Sequence, residues 1–375
     1  MFIGDNVLKN DEKAVFSLRS LYQSYGYTHF KMSKFEEYEL YAKNKNFLVS
    51  ENIITFTNAM GKLMALKPDV TLSIVKNSRD TAGDLLKVYY NENVYRMSKD
   101  NYDYKEIMQV GLECIGEIDK YRICEVIILA LESLSLIAED YVLDISHLGL
   151  VSALIDRLEL SEASRSELLV CIGEKNQHGI NDICLREKAD KQNTELLKLL
   201  VNTYGKPSEV IKKLNDILPD DNVKKYLYEL SDIVSSIDGT VPVDKIRIDF
   251  SVINDMNYYN GIVFKGFASG IPASVLSGGQ YDNLMHRMGK KSGAIGFAVY
   301  LDLLDELSVR QGEFDVDAVL LYDEKTDVAA LNRTVRAFTE KGISVSAQRT
   351  VPQKLRYRRL MRMNGTEAEI ADDNA

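Results

Sequence analysis

The chain has 375 residues, 45% of them hydrophobic and 27% charged, with 46 Lys and Arg against 56 Asp and Glu, a formal net charge of −10. That balance suits a globular protein with ample core material, in two domains or in one large domain with an appendage. The acidic surplus excludes coating of nucleic acid as the main role, because phosphate backbones reward a basic surface, and six prolines with 22 glycines exclude collagen-like and Pro-rich disordered classes.

The opening MFIGDNVLKNDEK carries charges where a signal peptide needs an apolar stretch. No run approaches the roughly 18 apolar residues of a membrane span. Cys114, Cys124, Cys171 and Cys184 contain no close C-x-x-C pair, which fits a reducing compartment. A soluble, cytoplasmic protein with no membrane contact is expected. Val15, Leu18, Tyr22 and Tyr25 recur at helical steps, and Gly26 stands where a C-terminal cap belongs. Residues 122–138 predict a second, largely buried helix. From about 148 to 238 the chain reads as helical, with Ser164 and Glu167 at capping-box spacing and Pro207 and Pro219 bracketing a short helix. The period then changes. Ile246, Ile248, Phe250 and Val252 alternate with Arg247, Asp249 and Ser251, the pattern of a half-buried strand, and NYYNGIVFKGFASG continues it. Strands mixed with helices, and a long helical stretch set among them, point to an α+β fold with helices on an antiparallel sheet. After Gly312, VDAVLLYD (316–323) and ISVSA (343–347) predict strands. Between them Val328, Leu331, Val335 and Phe338 predict one helical face, closed by Gly342.

Several motifs carry no function here. KMSK at 31–34 lacks the preceding Rossmann strand and His-x-Gly-His turn that give that tetrapeptide meaning. SGGQYD (277–282) has no Walker lysine. His29, His147, His178 and His286 have no metal-ligand spacing and read as structural residues. KLRYRRLMR (354–362) leaves two readings open, a site for RNA or an acidic partner and a solvated helix face.

Four blocks in order carry a resemblance: LKPDVT (66–71), VYYNENVYR…MQVGLECIG (88–116), NYYNGIVF (257–264) and LSGGQYDNL…GAIGFAV (276–299). Together they resemble the catalytic domain of histidyl-tRNA synthetase, a class II fold, over roughly residues 8–305. The resemblance implies a synthetase-like domain over 1–310 with a helical insertion at about 148–240. A small β-α-β unit over 313–375 would then be a truncated remnant of an anticodon-binding domain. It also implies a histidine pocket, in which Asp69, Thr71, Gln109 and Glu113 face the amino group and imidazole, and Tyr258, Tyr259 and Tyr281 close the cavity. The chemistry agrees: a desolvated ammonium group needs carboxylates at charge-assisted hydrogen-bond distance, and an imidazole needs both a donor and an acceptor.

The departures concern the ATP half. Asn254 stands where the synthetase has an arginine four residues before the tyrosine pair. Leu303, in Tyr-Leu-Asp-Leu, replaces the motif 3 arginine that follows Gly-Leu-Glu. Gln280 replaces the arginine of Gly-Gly-Arg-Tyr-Asp, and Ser98 the first glutamate of the motif 2 loop, while Arg96 is kept. Ser33 takes the place of the motif 1 proline. Adenylation needs fixed cations around an anionic transition state, and losing one costs about 10²-fold or more in rate. A chain that keeps the histidine contacts and loses those for ATP resembles the regulatory subunits of short-form ATP phosphoribosyltransferase, a non-catalytic paralogous family. That resemblance implies a separate short catalytic chain as partner, a hetero-octamer of four plus four, self-association as a dimer, and histidine as feedback effector in the first step of histidine biosynthesis. No cofactor and no metal are expected, and tRNA binding is not. An active divergent histidyl-tRNA synthetase, and a histidine- or RNA-sensing module, stay open as alternatives.

Overall fold

The fold was analysed in a computed structural model that describes residues 10–44, 53–81, 83–97, 103–253, 258–307, 314–364 and 367–373. The chain divides into two compact units, residues 1–307 and 308–375.

In the first unit α1 (Asn10–Ser24) leads to the short β1 (Thr28–His29). A small antiparallel sheet of β2 (Phe35–Glu37), β3 (Thr55–Thr57) and β4 (Leu63–Leu66) follows, with α2 (Tyr38–Lys43) after its first strand. Then come α3 (Thr71–Asn77), the long hairpin β5 (Leu86–Met97) and β6 (Tyr104–Gly116), α4 (Lys120–Ile137) and β7 (Tyr141–His147). Six helices follow: α5 (Leu148–Asp156), α6 (Glu162–Gly173), α7 (Gln177–Arg186), α8 (Lys191–Asn202), α9 (Pro207–Ile217) and α10 (Asp221–Ile237). The two-residue β8 (Tyr204–Gly205) separates α8 from α9. β9 (Ile246–Asp249), β10 (Ile262–Ala268), β11 (Leu276–Gln280), α11 (Asp282–Arg287) and β12 (Gly293–Tyr300) complete the unit.

The described strands of the main sheet run in the order β1-β5-β6-β12-β11-β10-β7-β9-β8. The expected antiparallel sheet holds in the middle and gives way near both edges, where β1 pairs β5 and β7 pairs β9 in parallel. The two faces separate by residue parity. Val110, Leu112 and Cys114 of β6 join Leu18 and Tyr22 of α1 and Val126, Ile127 and Leu131 of α4 in the main core. Tyr90 of β5 and Ile115 of β6 face the other way, into a second cluster with Tyr41, Leu72, Tyr258 and Tyr281.

Local chemistry explains where some expectations shift. The cap of α6 is Ser161, whose Oγ accepts from Ser164 N, so the Ser164–Glu167 capping box is not formed. Ser164 instead donates to Glu187 Oε1 at 2.5 Å, and Glu167 pairs with Arg186. The strand read through Val252 stops at Asp249, because that carboxylate accepts from Ser251 N and Oγ and turns the chain. Asp249 is also buried rather than solvent-facing, paired with Lys175 at 2.7 Å.

The second unit contains β13 (Val316–Leu321), α12 (Val328–Glu340), β14 (Val345–Gln348), β15 (Tyr357–Asn364) and β16 (Glu367–Asp373), with strand order β14-β13-β15-β16. The β-α-β start is present, but the chain then adds a hairpin. The basic segment 354–362 is therefore not a helix face. Most of it forms β15, with Met361 and Met363 turned into the core beside Leu320 and Leu331, and Val328 is exposed rather than part of the buried helical face. No helix among the described residues is long and apolar enough to cross a membrane.

Candidate functional site

On the face of the main sheet opposite α1 and α4 lies a cavity of about 440 Å³. Its floor follows from strand periodicity. Gln109 and Glu113 lie four apart on β6, so both side chains leave the same face, with Gly111 between them. On β12, Gly296, Ala298 and Tyr300 take the matching positions: Gly296 pairs Glu113, Ala298 pairs Gly111 and Tyr300 pairs Gln109. Glycine at 296 is a spatial requirement. A Cβ there would lie 1.8 Å from Glu113 Oε2 and 2.4 Å from the Leu112 carbonyl oxygen.

All seven residues expected to hold histidine, Asp69, Thr71, Gln109, Glu113, Tyr258, Tyr259 and Tyr281, line this one cavity together with Arg96. Glu113 is at its centre. Its Oε1 accepts from Thr71 Oγ1 and its Oε2 from the Tyr281 hydroxyl, each at 2.6 Å. Burial pushes its carboxyl up to about 8, against the opposing pull of those two hydroxyl donors. Burial also holds Asp69 above the usual carboxylate range, opposed by the Leu72 N–H, which donates to Oδ1 at 2.8 Å, and by the Arg96 charge. The Asp69 carboxylate thereby caps the first turn of α3, which sets Thr71 beside Glu113. Arg96 is anchored by Nε donating to the Pro68 carbonyl at 2.9 Å. Tyr258 lies tilted against Tyr259 at 4.5 Å between ring centroids and 5.7 Å from Tyr281, forming an aromatic wall. The Tyr258, Tyr259 and Tyr281 hydroxyls are all held well above their ordinary range, chiefly by burial.

Of the residues expected to mark a lost ATP site, Arg96 lines the cavity, whereas Gln280 and Leu303 do not. The Gln280 Oε1 accepts from the Ile262 N–H at 2.8 Å, which joins β11 to the start of β10. Leu303 packs against the main core. Ser98 and Asn254 lie outside the described residues. Sequence reasoning missed Tyr90, Lys265, Ser274, Ser277 and Tyr300, which also line the cavity. Parity could have supplied Ser277 and Tyr300: on their strands each stands two residues from a small residue of the cavity face. Elsewhere, His147 reads as the structural residue expected: its Nδ1 accepts from Gly149 N to cap α5, and Nε2 lies 3.2 Å from Glu229. No group of His, Cys, Asp and Glu among the described residues could hold a metal ion.

A broad antiparallel sheet with a polar cavity on one face, flanked by motif-like blocks on β5–β6 and β11–β12, defines a class II synthetase-like protein. The chain belongs to the histidyl-tRNA synthetase family, whose model matches residues 3–304. It is 28% identical over 336 residues to the ATP phosphoribosyltransferase regulatory subunit of Clostridium kluyveri, covering 87% of this chain and 86% of that protein. It is also 28% identical over 327 residues to the histidine–tRNA ligase of Methanococcus vannielii, covering 85% and 77%. Among solved structures, a chain of the ATP phosphoribosyl transferase (HisG:HisZ) complex from Thermotoga maritima superposes with a TM-score of 0.61 at 20% identity, covering 76% of this chain and 96% of that one. The resemblance to regulatory subunits read from the sequence thus extends along most of the chain.

Proposed function

We propose that this chain is the non-catalytic regulatory subunit of a short-form ATP phosphoribosyltransferase, required by its catalytic partner and responsive to histidine. Identity does not separate this reading from a synthetase, since relatives of both kinds match at 28%. The composition of the site supports the regulatory reading. One cavity gathers the carboxylates, hydroxyls and rings suited to a small zwitterion. Of the arginine positions a synthetase would use, one holds a glutamine bonded to backbone and another a leucine packed against the core. With each lost cation costing about 10²-fold in rate, adenylation has no support here.

In this reading Asp69, Thr71 and Gln109 receive the ammonium group of histidine, Glu113 and Tyr281 its imidazole, and Tyr258 and Tyr259 its ring face. Histidine inhibits because it binds one arrangement of the complex more tightly than another. A coupling of about 1–3 kcal/mol suffices, and it is reciprocal: the inhibited complex binds histidine more tightly than the active one. The assembly is a cytoplasmic hetero-octamer of four regulatory and four catalytic chains, with regulatory chains paired as dimers.

The test is reconstitution with a short catalytic chain. Transferase activity should require both chains and fall with histidine, light scattering should give a four-plus-four mass, and histidine-dependent pyrophosphate exchange should stay at background. Exchange above background would establish the synthetase reading instead, and failure to associate would leave a histidine-sensing module with another partner.

A further inference from the structure

Lys265 has no role in the account above, yet it stands in the wall of the cavity. The sheet register explains how it arrives there. One row of residues on the cavity face runs from Tyr90 to Gly111, Ala298, Ser277 and Lys265, across β5, β6, β12, β11 and β10. Lys265 therefore stands at the β10 end of the cavity floor, three strands from Glu113. Its stem is half-buried, and burial holds its ammonium group below the ordinary lysine range.

Among the described residues no hydrogen bond or salt bridge engages its Nζ. Asp249, an acid whose charge reaches it, is already matched to Lys175 at 2.7 Å and to Ser251, and Asp144, which pairs with Lys265 in the β7–β10 register, is engaged by Tyr204. Arg96, the other cation of the lining, is occupied by the Pro68 carbonyl and the Asp69 charge. The cavity thus has an acidic end at Asp69 and Glu113 and an unengaged cation facing it from β10. A partly desolvated charge without a counter-ion is costly, and a ligand anion would remove that cost.

The volume allows it. A cavity of about 150 Å³ holds a six-atom ring, so the eleven heavy atoms of histidine need on the order of 275 Å³ by the same scale. The cavity offers about 440 Å³, enough to enclose the amino acid, and the long Lys265 side chain or an ordered water would close the distance left across the three strands.

We propose that Lys265 receives the carboxylate of the bound amino acid, and so makes the cavity select a free amino acid over the corresponding amino alcohol. The inference rests on the reading of the cavity as a histidine site. Its test is calorimetric titration of the full chain with histidine and with histidinol, which keeps the ammonium and imidazole groups and lacks the carboxylate. The unsubstituted chain should prefer histidine by about tenfold to a hundredfold, the usual worth of one charge-assisted contact. Lys265→Met, which keeps the apolar stem, should lose that preference by weakening histidine alone, and Lys265→Arg should restore most of it. Unchanged histidinol affinity shows that the variant is folded with its acidic end intact; should Lys265→Met not fold, Lys265→Gln takes its place. A variant that retains the full preference for histidine overturns the role of Lys265 while leaving the histidine site standing. An unsubstituted chain that binds neither compound overturns the histidine site itself.

Discussion

Glu113→Gln isolates one charge in an otherwise unchanged cavity. At pH 7 a carboxyl whose pKa is pushed up to about 8 is mostly protonated in the empty site. A ligand that donates to it, such as an imidazolium or ammonium group, favours the carboxylate, so binding expels up to about one proton near neutrality. Glutamine has the same shape but no proton to release and no charge to offer. Losing a hydrogen bond to a charged partner costs about 1.5–3 kcal/mol, which corresponds to histidine binding weaker by about tenfold to 150-fold. Stability responds in the opposite direction. The folded-state pKa lies above the usual glutamate value of 4.5. Below pH 4.5 the group is protonated folded or unfolded and costs nothing. As pH rises from 4.5 toward 8 the unfolded chain sheds the proton that the folded chain keeps, and stability falls, by an upper bound on the order of 5 kcal/mol. Glu113→Gln should flatten that fall while leaving association with the catalytic partner intact. Titration calorimetry of histidine at several pH values, in buffers of differing ionisation enthalpy, reads affinity and proton release; urea midpoints over the same pH range read stability. A variant with unchanged affinity and unchanged proton release would refute the assignment of Glu113.

Tyr281→Phe removes one of the two hydroxyls that oppose the burial effect on Glu113, so the pH midpoint of proton release should move upward and histidine affinity fall about tenfold; an unmoved midpoint would count against the bond. Gly296→Ala places a methyl 1.8 Å from Glu113 Oε2 and should abolish detectable histidine binding while costing about 1–3 kcal/mol in urea unfolding from overpacking; a variant that binds and melts as the parent does would disprove that close approach. Lys67 is fully buried with its ammonium on Glu92, so Lys67→Met should destabilise by about 3–5 kcal/mol by stranding the partner charge. Adding Glu92→Gln should recover much of that loss, and equal stability of the single and double variants would show that the pair is not coupled.

The parts of the site that were legible in the sequence share a property: their signal is local. Gln109 and Glu113 come with one contiguous motif block, MQVGLECIG, and the helices show themselves by steps of three and four. The errors arise where two local signals compete or where the partner is distant. Ser161 and Ser164 are both plausible caps three residues apart, and the choice went to Ser161 because its backbone is extended at the start of the turn. Gln280 follows two glycines in a motif block, yet it falls out of step with Ser277 on β11, and its amide oxygen meets a backbone N–H on the neighbouring strand. In the basic segment, Met361 and Met363 alternate with Arg362, a strand signal only two steps long and overshadowed by the charge run. What completes it is β16, which sets Glu369 opposite Arg362 on the neighbouring strand. Lys265 is the instructive case. Alternation along IVFKGFA marks it as polar on one face, but whether that face meets water or a cavity depends on β11, β12 and the tyrosines that flank β10 and β11. Periodicity reports which side of a strand a charge occupies; only the assembled sheet reports what lies across from it, and here that is an acidic pocket wide enough to hold a ligand between the two.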